Sequence, residues 1–148
     1  MINRGMHMKR TRLNYFLALL AGAALNVSAW AADVVVIVNK ANANVMDKGG
    51  VAKIYTGETK SWPDGGSIVA IDQSEDNPIR ADFYSSVLNK SIANMKARWA
   101  QNIFSGKGLP PKVVNPDAEV KKIVSTNKNA IGYINASSVD GTVKVVVK

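Results

Sequence analysis

The chain has 148 residues, nineteen Lys and Arg against eleven Asp and Glu (formal charge +8), no cysteine and one histidine. Because that histidine, His7, falls in an N-terminal segment that reads as an export leader, the remainder has neither Cys nor His, which excludes Ser-His-Asp and Cys-His nucleophiles and the usual zinc sites. An enzyme would have to work with carboxylates, Lys or Tyr alone, so a non-enzymatic protein without cofactor or metal is expected.

The leader comes first in chain order. Arg4, Lys9, Arg10 and Arg12 precede the apolar run FLALLAGAALNV, and Ala29-Trp30-Ala31 fits a small-x-small cleavage site, so residues 1–31 are expected to be a signal peptide cut before Ala32. The run is short for a bilayer span, and no lipid-attachment cysteine follows it, so the product is expected in the periplasm. Subtracting 31 from 148 leaves about 117 residues, 32–148, enough for one modest core. Four basic and no acidic residues leave with the leader, so the balance falls to about +4. The remaining lysines are scattered from Lys40 to Lys148 without a block, which gives no support for nucleic-acid binding.

Val34 to Val38 is an unbroken β-branched run, the pattern of a strand covered on both faces, so helices are expected to cover a parallel sheet. Asp47 can cap a short helix carrying Val51, Ile54 and Tyr55 that stops at Gly57, and WPDGG is turn chemistry before a strand at Ile68–Ile71. Asn77 and Pro78 are the preferred cap and first residue of a helix, and Ile79, Phe83 and Val87 recur every four positions to about Leu88. Ser91 opens the next helix, with Ile92, Met95, Trp99 and Ile103 as its apolar stripe, and SGKGLPPK ends it. Asp117 is the expected cap of a further helix with Val120, Ile123 and Val124 inward and Lys121, Lys122 and Lys128 toward its negative end. AIGYI and TVKVVV read as closing strands. The order β-α-β-α-α-α-β-β gives one α/β layered domain over 32–148, whose ligand sites are expected in the loops after Val38 and Ile71, beyond the carboxyl ends of strands.

The loop after Ile71, in VAIDQSEDNPIRADFY, carries two readings. The start of a helix offers orphan N–H groups and partial positive charge, and the amides of Ile79 and Arg80, the side chains of Gln73, Ser74 and Asn77 and the Arg80 guanidinium make a candidate oxyanion site. Against it stand Asp72, Glu75, Asp76 and Asp82, which repel an anion unless they point away and which match no calcium loop, so a plain capped turn is the other reading. Trp99 and Tyr133 read as packing residues, and GKG at Gly106–Gly108 lacks both the preceding strand and the following Ser/Thr of a phosphate loop.

Taken in order, KIYTGETKSWPDGGSIVAID, IRADFYSSVL, RWAQNIFSGKGLPPKVV and AEVKKIVSTNKNAIGYI resemble one lobe of the phosphate-type periplasmic substrate-binding proteins of ABC importers, and especially a short, single-lobe subgroup with a PBP-like domain. The resemblance spans about Val34 to Ile134 and implies one lobe of the type II fold, with a mixed, mostly parallel sheet flanked by helices. It also implies binding of phosphate or a related oxyanion, completed by a homodimer or by an ABC-transporter or other membrane-protein partner. The family loop typically reads Arg-x-Asp-Gly-Ser-Gly-Thr, and its places fall here on Gln73 to Ile79, so the arginine has become neutral, one glycine is Pro78, and Arg80 is the only nearby cation. A lobe kept as a protein-interaction scaffold, with ligand binding lost, is the alternative.

Overall fold

The computed structural model describes residues 32–148, so the expected leader lies outside the described residues. Strand β1 (Val34–Asn39) is buried almost throughout because its two faces meet different helices. Val34, Val36 and Val38 join a cluster with Tyr55, Phe83 and Tyr133, while Val35 and Ile37 join Ile71, Val120 and Ile134 on the other side. Alternation of side chains along a strand turns one apolar run into the centre of two cores.

The Asp47 carboxylate accepts from the Gly50 N–H at 2.7 Å and starts α1 (Lys48–Tyr55). The chain leaves α1 at Gly57, whose φ is +78° and where a Cβ would lie 2.8 Å from the Trp99 ring, so both backbone conformation and space require glycine. Strand β2 (Val69–Asp72) leads into α2 (Pro78–Ser86), capped by Asn77 as expected. Ser91 caps α3 (Ile92–Phe104) through the Asn94 N–H. Then follow β3 (Lys112–Val113), α4 (Asp117–Thr126), β4 (Ala130–Asn135) and β5 (Val143–Val147).

The sheet order is β3-β2-β4-β1-β5. Strand β2 is parallel to β3 and β4, and β1 is antiparallel to both β4 and β5. Four strands therefore run the same way, the mixed, mostly parallel α/β sheet that the resemblance implies, but β1, expected to be parallel, is reversed, so the loop after Val38 leaves the sheet at the end opposite the loop after Ile71. Helices α1 to α3 cover one face and α4 the other. A Cβ on Gly132 would lie 2.7 Å from Val120 Cγ1, so this glycine is what lets α4 sit against β4.

Four further expectations need correction. Strand β3 was not expected, because two residues after Pro110-Pro111 carry no periodicity and are held only by long-range pairing of Lys112 with Ile71 and Val113 with Asp72. Helix α2 ends at Ser86 and not Leu88; Val87 is its C-cap, and Val87 and Leu88 are buried just beyond it. Asp117 is the first residue of α4, not its cap; Pro116 holds the cap position without a side-chain bond, because the Asp117 carboxylate faces tertiary partners, and no basic residue lies in the last turn. The α3 stripe stops at Trp99, since Ile103 is 51% exposed.

Candidate functional site

Four co-directional strands bring their carboxyl ends to one side of the domain, and β2 delivers Asp72 there with its carboxylate buried. A buried carboxylate requires partners. Its Oδ1 accepts from the Gln73 N–H at 2.8 Å and from the Tyr133 hydroxyl; its Oδ2 accepts from the Tyr84 hydroxyl and lies 3.4 Å from Arg80 Nη2. These four contacts fill both oxygens. Tyr133 reaches Asp72 because β2 and β4 run in parallel register, Val69 with Ala130 and Ala70 with Ile131, so the two residues finish side by side.

Arg80 is set by the first turn of α2, where Asn77 fixes the entry angle. Its Nε donates to the Tyr84 hydroxyl at 3.1 Å, one helical turn on, and its guanidinium lies 5.1 Å from that ring's centroid. Nη1 lies 3.7 Å from Glu75, which Lys96 of α3 also holds, at 2.7 Å. Although burial opposes its charge, attraction to Asp72 and the bond to Tyr84 raise the pKa of Arg80 above its already high value. Burial, then the Asp72 charge, push the Tyr84 and Tyr133 phenols far above their usual range, which keeps them as donors. The Lys96 hydrogen bond holds Glu75 below the ordinary carboxylate range, and the Ser74 hydroxyl does the same for Asp76.

The other four candidate residues are engaged within the protein. Gln73 is fully buried and donates to Asp117 and to the Tyr133 carbonyl, both at 2.9 Å, while its Oε1 accepts from Asn77 at 2.7 Å. Ser74 bonds to Asp76 and Asn115. The Asn77 side chain takes the Ile79 N–H at 3.2 Å and its carbonyl takes the Arg80 N–H at 3.0 Å, so both amides serve the cap. The chemistry of Gln73, Ser74, Asn77 and Ile79 is therefore that of a built turn, and of the five Arg80 is the one that lines a crevice. Among the described residues, no group of three or more His, Cys, Asp or Glu is arranged to hold a metal, and no helix is long and apolar enough to cross a membrane.

Arg80 faces a crevice of about 360 Å³ between α2, α3 and the Pro110–Val113 segment, whose charged wall is Asp72, Glu75, Arg80 and Lys96 and whose other walls include Trp99 and Pro111. A larger cavity of about 460 Å³ lies at the other end of the same segment against Gly57 and Ile68. We place the candidate site in the smaller one because it lies beyond the carboxyl end of β2 and contains the arginine. Residue patterns did not single out Tyr84 or Lys96 for this wall, or Tyr133 for the support behind it. The usable signals were the four-residue spacing of Arg80 and Tyr84 and the pairing of VAID with AIGYI.

Comparison with known proteins agrees with this architecture. A phosphate ABC transporter substrate-binding protein from Clostridium perfringens, solved with bound phosphate, superposes with a TM-score of 0.63 at 22% identity, over 78% of this chain and 45% of its own. An ABC-type phosphate transport receptor from Vibrio cholerae gives 0.60 at 22% identity with the same coverages, and PstS from Borrelia burgdorferi gives 0.60 at 17%, over 79% of this chain and 47% of its own. These likenesses are of fold, and the chain spans less than half the length of each. No curated protein matches. A family model described as PBP superfamily domain matches residues 9–146, nearly the whole sequence, and the chain belongs to that family.

Proposed function

We propose that the protein is a non-catalytic solute-binding module of the periplasm, exported by its leader, that takes an anion at Arg80. Phosphate or a related oxyanion is the first class to consider, because similar folds include receptors described as phosphate-binding. The observation that carries the reading is the Arg80 guanidinium, anchored from behind by Tyr84 and Asp72, with donors left toward a crevice beyond the carboxyl end of β2. Gln73, Ser74, Asn77 and Ile79 shape the turn that presents it. An ABC-transporter or other membrane protein, or a second copy, is the kind of partner that would complete a lobe of this size. Calorimetric titration of the protein with phosphate, sulfate and molybdate tests the reading: one of them binds, and Arg80→Ala weakens it about ten- to a hundredfold. Absence of heat with every oxyanion, or equal affinity in the variant, overturns it.

A second reading has its own observation. Asp72, Glu75, Asp76 and Asp117 outnumber Arg80 and Lys96 around the loop, and Asp72 already occupies a cluster of donors as an anion would. A compact dianion is repelled by that surplus, and the lobe then serves as a docking scaffold.

A further inference from the structure

We infer that the crevice is a site for apolar organic carboxylates, molecules with one carboxylate head and a hydrocarbon body, and that Glu75 is the built-in stand-in for the ligand's head. The inference rests on the reading of Arg80 as a solute contact and names the class of solute. Glu75 is half exposed, belongs to the loop and not to a helix or strand, and lies 2.7 Å from Lys96 Nζ and 3.7 Å from Arg80 Nη1, so one solvent-facing carboxylate bridges the two cations that face the cavity. Asp72, by contrast, borders the same cavity but has both oxygens filled by four partners. A ligand carboxylate that displaces Glu75 gains both cations without disturbing the buried cluster.

The rest of the cavity decides the body of the ligand. Met95, Trp99, Ile103, Pro110, Pro111 and Val113 line it, and Ile103 and Val113 are each about half exposed. A phosphate ion leaves those walls in water, whereas a chain or ring of five or six carbons covers them, and 360 Å³ has room for such a molecule. A monoanion also meets less repulsion from the neighbouring carboxylates than a dianion does.

The test is calorimetry on the protein with acetate, butanoate, hexanoate and benzoate, and with phosphate and neutral hexanamide. Hexanoate and benzoate bind, hexanoate at least about tenfold more tightly than acetate, and hexanamide does not. Glu75→Gln, an exposed change that leaves the fold intact by thermal melting, raises hexanoate affinity several-fold because the competitor is gone; Arg80→Met lowers it at least about tenfold. Acetate as tight as hexanoate, or affinity unchanged or reduced by Glu75→Gln, overturns the inference. Arg80-dependent binding of phosphate with no binding of hexanoate overturns it while the solute-module reading stands, and silence with every anion removes both. Sedimentation at rising concentration adds a last outcome: a dimer that closes the crevice and is indifferent to hexanoate also overturns it.

Discussion

Asp72 shows how a single buried group organises its surroundings. Its side chain is 4% exposed, and that of Arg80 is 12% exposed, so each depends on the other and on two tyrosines for solvation lost on folding. Asp72→Asn is expected to cost about 3 kcal/mol in denaturant melts, at the low end for a broken buried pair because Arg80 can turn toward the crevice. Burial first, and then the Asp72 charge, raise the phenol pKa values of Tyr55, Tyr84 and Tyr133 above their ordinary range. They remain protonated in the folded protein while the unfolded chain ionises near pH 10, so the unfolded state binds fewer protons in that window. Their contribution to stability is complete below about pH 10 and falls above it, by up to about 1.4 kcal/mol per pH unit for each tyrosine. Urea melts from about pH 9 to about pH 11 check this; Tyr84→Phe makes the fall less steep, and an identical slope in both proteins contradicts it.

At the scale of elements, the caps follow from sequence and the tertiary edges do not. Asp47, Asn77 and Ser91 cap their helices as their residue types imply, since an N-cap is decided within three or four residues. Asn77 does more than its sequence position indicates, because its Nδ2 also donates to Gln73 and so ties the helix start to the buried loop. Asn77→Ala is therefore expected to lose about 2 kcal/mol, the upper end for a cap, and coincident melts of variant and parent would count against this account. Asp117 has the right residue type for a cap, but Gln73, Asn135 and Ser138, each remote in sequence, recruit its carboxylate. Strand β3 is likewise invisible locally, since its two residues are strand only because β2 lies beside them. The site depends on this kind of long-range contact, Tyr133 with Asp72 and Lys96 with Glu75, which is why the loop residues drew attention while Tyr133 and Lys96 did not.

For the molecule as a whole, the layers were readable from apolar pattern and the family resemblance, because β1 is apolar on both faces and each helix carries one stripe. How tightly the layers approach was not readable, since it depends on small residues at crossings. Gly132 is the clearest such crossing: Gly132→Ala pushes a methyl group into Val120 and is expected to cost about 1–3 kcal/mol, while a neutral result in melts would mean α4 can shift without loss. The same compactness leaves a crevice beside α3 as the place where a charged group meets open apolar walls.

The central claim is that solute contact occurs through the Arg80 side chain. It is tested most directly by nitrogen-proton NMR of the Arg80 Nε–H and the Trp99 indole N–H during titration with hexanoate and, separately, with phosphate. A saturable shift of the Arg80 signal is expected with at least one of the two, accompanied by Trp99 when the ligand has a hydrocarbon body. An Arg80 side-chain signal that stays still while the backbone amides of Ser74 to Asn77 and of Ile79 move, or while nothing moves at all, overturns the role of Arg80.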